Sequence, residues 1–310
     1  MRAGERRMNP WKSSSASISV FPKGCLDDLV KGTLSLFEWI EMAGTLGADG
    51  LEMYDKFFET AADAASLDRV KEAASRQGLF IPMMCASPDF THPDAAFRAQ
   101  EVERMRRMIE ITAYLGPEEF RSCRVLSGQN RPGLRREDGV RWTVECIEAL
   151  LPFAEERRVH LAMENHYKDG FWTYPEFALP SEIYLEIIGR IDSPYFGVNY
   201  DPSNALVAGE DPLALLRQVK ERIVTMHASD RYLKEGYATE DLKSYSLKGY
   251  SEALAHGVIG QGMNDYDAIF DLLRSVSFKG WISIEDGVNG LDDLRESVRF
   301  LRSKIDEYLT

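Results

Sequence analysis

The chain has 310 residues, 44% of them hydrophobic and 28% charged, with 23 Gly and 13 Pro, ordinary values for a soluble globular protein able to bury a substantial core. Its formal charge of -13 argues against a nucleic-acid scaffold or an anionic-membrane binder, which need clustered Lys and Arg, and favours a small neutral substrate or a bound cation. The four cysteines, Cys25, Cys85, Cys123 and Cys146, are scattered and form no CxxC pair, so neither a zinc knuckle nor a disulfide framework is expected.

The opening stretch, MRAGERRMNPWKSSSASISVF, carries positive charge but only ISVF as an apolar run before Pro22, too short for a signal peptide. No window approaches a membrane span. A cytoplasmic protein is expected, with residues 1–14 a loose arm and 15–310 a single domain. From there one rhythm repeats. ASISVFP precedes TLSLFEWIEMAGTLG, GLEMYD precedes AADAASLDRVKEAASRQG, and LFIPMMCAS precedes a helical pattern from about Pro93 to Leu115. RSCRVLSG is followed by a helix around WTVECIEALLPFAEERR, VHLAMENH by SEIYLEIIGRI, and YFGVNYDP by DPLALLRQV. RIVTMHASD leads to DYDAIFDLLRSV, and WISIEDG to LDDLRESVRFLRSKIDEYL. Strands alternating with helices imply parallel pairing and right-handed crossovers. Eight such units point to an α/β fold that is a single (β/α)8 TIM barrel. The rival, a doubly wound open sheet, lacks a GxGxxG after the first strand.

Side chains alternate between the barrel interior and the helix layer along each strand. In LAMENH this sends Leu161 and Met163 outward, with Ala162, Glu164 and His166 inward. FGVNYD puts Phe196, Val198 and Tyr200 out, and Gly197, Asn199 and Asp201 in. IVTMHA puts Val224 and Met226 out with Thr225 and His227 in, and ISIED puts Ile282 and Ile284 out with Ser283 and Glu285 in. An ionisable residue thus ends the inward row of four consecutive strands, at the end where barrels of this kind carry their active sites. Glu164, Asp201, His227 and Glu285 would converge there. Three carboxylates that close repel one another unless a cation sits among them. One divalent metal ion resolves the conflict, and the oxygen-rich donor set favours Mn²⁺, with Mg²⁺, Co²⁺ or Zn²⁺ as alternatives. A single Glu or His at a strand end is more often a cap or a structural group, and a polar barrel mouth without metal is the competing reading of all four.

These residues, with GADGLEMYD, FGVNYDPSNAL, TMHASD, GVIGQGMNDYDAIF and GWISIEDG, resemble the xylose isomerase-like, or AP endonuclease family 2, barrels, which include sugar isomerases and ketose 3-epimerases. The resemblance implies that Glu164, Asp201, His227 and Glu285 are the family's metal set. The repair-endonuclease branch uses more histidines and a basic face, whereas this chain is acidic and has five His. The implied activity is sugar isomerisation or epimerisation. A cation gripping the carbonyl and adjacent hydroxyl of a ketose stabilises the enediolate formed when the neighbouring proton leaves. Glu164 and Glu285 are then the natural acid/base pair, the alternative being that both are ligands only.

His166, two positions past Glu164 on the same face, is either a third catalytic group or a structural hydrogen-bonding one. The 3-epimerases carry a His where Asn204 stands, and their substrate-binding Arg lies farther from the His ligand than Arg231 does from His227. A second class therefore stands beside the first. ENHYKDGFWTYPEF and the stretch from HGVIGQG to IEDG are similar to the large subunit of bacterial C-glycoside deglycosidases. That likeness implies a lyase acting on a 3-keto C-glycoside, with a metal, a His acid/base and a small second subunit. A non-catalytic metal-binding barrel is the third reading.

Substrate contacts are expected from Glu52 and Tyr54, inward by parity, from Trp172 in the aromatic GFWTYPEF loop, and from Asn204 and Arg231. Lys168 and Asp230 are candidates to contact substrate or to orient ligands, while solvent exposure is the plain reading of Lys168 and Asp169. Gly260 and Gly262 read as a turn. The absence of a Lys/Arg cluster points to a non-phosphorylated sugar or glycoside, and a homo-oligomer is the expected assembly.

Overall fold

The computed structural model describes residues 16–58, 62–246 and 249–310; the expected arm of residues 1–14 lies outside them. Parallel strands form the centre: β1 (Ser17–Val20), β2 (Gly50–Leu51 and Met53–Tyr54, interrupted at Glu52), β3 (Met83–Cys85), β4 (Ser122–Val125), β5 (His160–Glu164), β6 (Phe196–Tyr200), β7 (Ile223–Ala228) and β8 (Trp281–Ile284). β1 pairs with β8 on one side and with the first half of β2 on the other. The second half of β2 pairs with β3, and each later strand pairs with its successor. With the two halves of β2 counted as one stave, the ladder returns to its start: a single (β/α)8 TIM barrel, as the alternating pattern predicts.

Each strand is followed by a crossover helix: α1 (Leu36–Ala43), α2 (Ala64–Arg76), α3 (Ala95–Leu115), α4 (Arg136–Glu156), α5 (Ser181–Arg190), α6 (Pro212–Val219), α7 (Tyr266–Ser275) and α8 (Leu291–Tyr308). Their starts follow local chemistry. Ser35 and Glu38 form a reciprocal capping box on α1, and Asp63, Asp94, Asp211 and Asp265 cap α2, α3, α6 and α7. Each such cap is worth about 1 kcal/mol. α4 begins at Arg136, ahead of the apolar pattern that announces it, because its first turn is the polar RREDG. Gly139 in that turn is a packing requirement: a Cβ there would lie 2.4 Å from the Phe177 ring.

The outward residues Leu161, Met163, Phe196, Val198, Tyr200, Met226, Ile282 and Ile284 all join the apolar layer between sheet and helices. Val224, expected there, does not. The β6–β7 register slips between Val198↔Ile223 and Asn199↔Thr225, so Val224 is the extra residue of a bulge. It packs where a Gly197 side chain would stand, 2.4 Å from an added Cβ. The bulge resets the alternation, leaving Thr225 and His227 inward.

Among the described residues, sequence periodicity did not announce short helices Leu26–Lys31, Pro202–Val207 and Leu242–Ser246, nor the antiparallel pair of Arg231–Leu233 with Leu254–His256. No helix among the described residues is long and apolar enough to cross a membrane.

Candidate metal centre and pocket

Glu164 is the last residue of β5, Asp201 directly follows β6, His227 lies within β7 and Glu285 directly follows β8. All four are buried, and each offers one ligand atom within 4.8 Å of the others'. The imidazole is central, with His227 Nδ1 2.8 Å from Glu285 Oε2 and 3.3 Å from Glu164 Oε1. Asp201 Oδ1 accepts from Ser229 Oγ at 2.7 Å and from the Asn204 amide at 3.0 Å, which makes Asp201 the N-cap of Pro202–Val207. The Asn165 side chain ties the Asp201 backbone to β5 by two bonds of 2.7 and 2.8 Å.

Charges from elsewhere in the barrel hold this cluster. Arg124 donates from Nη1 to Glu164 Oε2 at 2.7 Å, from Nη2 to Ser87 Oγ at 2.9 Å and from Nε to the Ala86 carbonyl at 3.2 Å. Lys23 Nζ donates to Glu285 Oε1 at 2.7 Å. Asn204 Nδ2 donates to Glu164 Oε1 at 2.9 Å. On the far side of the imidazole, His227 Nε2 lies 3.1 Å from Glu52 Oε2, which also accepts from Cys85 Sγ at 3.2 Å.

Burial opposes ionisation of every acid here, and the outcome depends on neighbours. Glu164 is held at about 2 because His227 and Arg124 outweigh its burial. Against the same burial, Lys23 and His227 hold Glu285 well below the usual carboxylate range. Asp201 is pushed up to about 7 by burial and by the Glu285 and Glu164 charges. Burial works against a charged His227, but Glu164, Glu52 and Glu285 raise it well above an ordinary histidine. Burial, then Glu52, raise the Cys85 thiol far above its ordinary value, so it is a donor. A cation among the carboxylates would relieve the repulsion that raises Asp201. Three carboxylate groups and one imidazole suit a divalent ion, so the residues present fit the group the sequence implies.

Above the cluster opens a pocket of about 240 Å³ with Lys23, Arg124 and Glu285 at its base and His166 and Lys168 on its wall. Five aromatic residues, Phe21, Tyr54, Tyr167, Phe171 and Tyr250, also line it, beside Leu26, Asp27, Asp169 and Gly170. Tyr54 and Phe171 stack at 6.4 Å between centroids, and Lys168 Nζ lies 5.2 Å from the Tyr250 ring centre. His166 is buried, with Nδ1 3.7 Å from Glu176 Oε2. A wider groove of about 590 Å³, bounded by Phe80, Leu115 and Arg121 at the N-terminal ends of the strands, carries none of this chemistry.

Of the residues expected to contact substrate, Tyr54 and Lys168 line the pocket. Tyr54 donates its hydroxyl to Asp169 at 3.1 Å. Glu52 lies behind His227 and Asn204 on Glu164. Asp230 accepts the backbone amides of Arg231, Gly260, Gly262 and Asn264, pinning the GVIGQG turn. A Cβ on Gly262 would sit 2.3 Å from Asp230 Oδ1, which explains that glycine. Arg231 donates to Asp286 Oδ1 at 3.2 Å, and Trp172 meets the edge of His166 at 6.5 Å. Asp169, read as solvent-exposed, is buried, because Ser87 Oγ and the Phe171 amide also donate to it.

Arg124, Lys23 and Cys85 escaped the sequence reading. Alternation in RSCRV already turns Arg124 inward between the outward Cys123 and Val125, so that signal was present. Lys23 lies past the end of β1, where parity says nothing.

The chain belongs to the family of xylose isomerase-like TIM barrels, whose model matches residues 40–304. Over 162 residues it is 23% identical to an inosose dehydratase of Bacillus thuringiensis (strain Al Hakam), covering 51% of this chain and 50% of the relative. The chain thus spans about half the length of the dehydratases it matches. A 3-oxo-isoapionate decarboxylase of Pectobacterium atrosepticum is 23% identical over 248 residues, 79% of this chain and 75% of the relative. Among solved structures, a D-tagatose 3-epimerase-like protein superposes with a TM-score of 0.70 at 18% identity, over 94% of this chain and 98% of that one. The 3-keto-D-glucoside 4-epimerase of E. coli does so at 0.67 and 15%, over 93% and 99%. At such identities the structural likeness shows the fold.

Proposed function

We propose that this protein is a divalent-metal-dependent sugar isomerase or epimerase that removes a proton from the carbon beside the carbonyl of a ketose. The observation that carries this reading is the convergence of Glu164, Asp201, His227 and Glu285 beneath a pocket whose wall holds a second acid/base group, His166. Bound by those four residues, a cation, Mn²⁺ by preference, supplies Lewis acidity to the substrate carbonyl and its neighbouring hydroxyl. Glu164 does not line the pocket; its part is to hold the ion. Glu285 and His166 reach the pocket from β8 and β5 and form the acid/base pair. Glu285 holds Oε2 toward His227 and accepts from Lys23 Nζ on Oε1; as the carboxylate of the cluster that lines the pocket, it takes the proton. His166, with Nδ1 toward Glu176, offers Nε2 to return it on the other side.

The test is incubation of the metal-loaded protein with a panel of ketoses in D₂O. Deuterium should appear at the carbon beside the carbonyl, and His166→Asn should cut its entry about 100-fold, the lower end of general acid–base contributions. Absence of exchange on every ketose and keto-glycoside, with metal bound, sinks the reading.

A second reading, a lyase on a 3-keto C-glycoside, is favoured by one observation: five aromatic rings on the wall of a small pocket, more flat apolar surface than a free sugar occupies. Relatives named as a dehydratase, which expels water, and a decarboxylase, which breaks a carbon–carbon bond, support it. Release of the aryl group from a 3-keto C-glycoside, and co-purification of a small second polypeptide, would decide for it.

A further inference from the structure

His227 is gripped from both sides, and the grip behind it has no role in the reading above. Glu52 stands at the interruption of β2, where the strand leaves β1 and joins β3. Its side chain is fully buried, and Oε2 lies 3.1 Å from His227 Nε2. Cys85, at the end of β3, donates its thiol to the same oxygen at 3.2 Å, with Sγ 3.9 Å from Nε2. A carboxylate only accepts. Nε2 therefore donates to Glu52, and the ring so held aims its other nitrogen, Nδ1, at Glu164 and Glu285.

We infer that Glu52, steadied by Cys85, is a positioning residue that holds the ring of His227 so that Nδ1 stays aimed at Glu164 and Glu285, where the cation would sit. A carboxylate behind a metal-binding histidine fixes the ring and raises its basicity, and loss of such a partner typically lowers metal affinity about 10- to 100-fold. Glu52 was expected at the substrate. It is not among the residues that line the pocket, and its contact with the imidazole assigns it to the ligand instead. This inference rests on the metal-site reading.

The experiment compares the full chain with Glu52→Leu and Glu52→Gln. Mn²⁺ affinity is measured by competition with a chromophoric chelator, and ligand geometry by the visible spectrum of the Co²⁺ form. Glu52→Leu fills the space without an acceptor and should bind Mn²⁺ about 10- to 100-fold more weakly, with an altered Co²⁺ spectrum; Glu52→Gln keeps an acceptor oxygen and should lose less. Native affinity and spectrum in Glu52→Leu would make the residue packing only and overturn the inference. Should that variant fail to fold, Glu52→Gln decides: weaker binding with a changed spectrum supports the role, and unchanged values overturn it. A second ion per chain, lost in Cys85→Ser, overturns it as well, since Glu52, Cys85 and His227 would then hold a cation of their own. A wild-type chain that binds no divalent ion defeats the metal site itself, whereas a binding wild type with an indifferent Glu52→Leu defeats this inference alone.

Discussion

The two halves of the barrel divide the labour. β5 through β8 bring Glu164, Asp201, His227 and Glu285, the four candidate ligands. β1 through β4 and their ends bring Lys23, Glu52, Cys85 and Arg124, each touching a ligand or a residue that touches one. The first set would grip the ion. The second neutralises and orients the first, since buried carboxylates without partners would hold their protons. The same side-chain chemistry thus serves opposite ends, according to which neighbour it meets.

The largest effect should come from the ligand half. Asp201→Ala removes a proposed donor, and Mn²⁺ affinity should fall by more than about 100-fold, beyond what loss of an outer partner costs; titration with Mn²⁺ checks it. An unchanged affinity would erase the distinction between the halves. Next comes the supporting half. Arg124→Leu strands Glu164 in a site where the pair is 3% and 0% exposed, and breaking such a buried pair costs about 3–5 kcal/mol. Urea unfolding of the metal-free protein measures it, and a loss near zero would show that the ligand half needs no counter-charge.

The smallest effect lies at the opposite end of the ligand half. His160, the first residue of β5, is held down to about 4 by burial and stacks on Tyr195 at 5.0 Å. The unfolded chain takes up this proton near 6.5 and the folded one only near 4, so stability is full above 6.5 and declines as pH falls across that window. Melting temperatures from pH 7 to 4 should fall less steeply in His160→Gln. An identical slope would place the acid sensitivity elsewhere, among the paired charges of the mouth.

The same division explains what the sequence revealed. Ligands that end apolar strands stand out, because alternation turns Glu164, Asp201, His227 and Glu285 to one side and the helix layer takes the rest. Arg124 obeys the same alternation but sits in a strand with no other inward charge, so it went unread. Lys23 follows β1 in a 3₁₀ turn, Lys23–Cys25, whose direction no periodicity encodes. Glu52 was visible as an inward residue, yet its target depends on how far the imidazole sinks between strands, a matter of three dimensions. Val224 shows the converse, where one inserted residue at the β6–β7 slip reversed a side chain while leaving the rest of the row in place.

Asp201 carries a further implication. Its Oδ1 starts the short helix Pro202–Val207, and that helix brings Asn204 Nδ2 to Glu164. One side chain is thus both a candidate ligand and the start of the turn that delivers a neighbour to Glu164, so a change at position 201 reaches two members of the cluster at once.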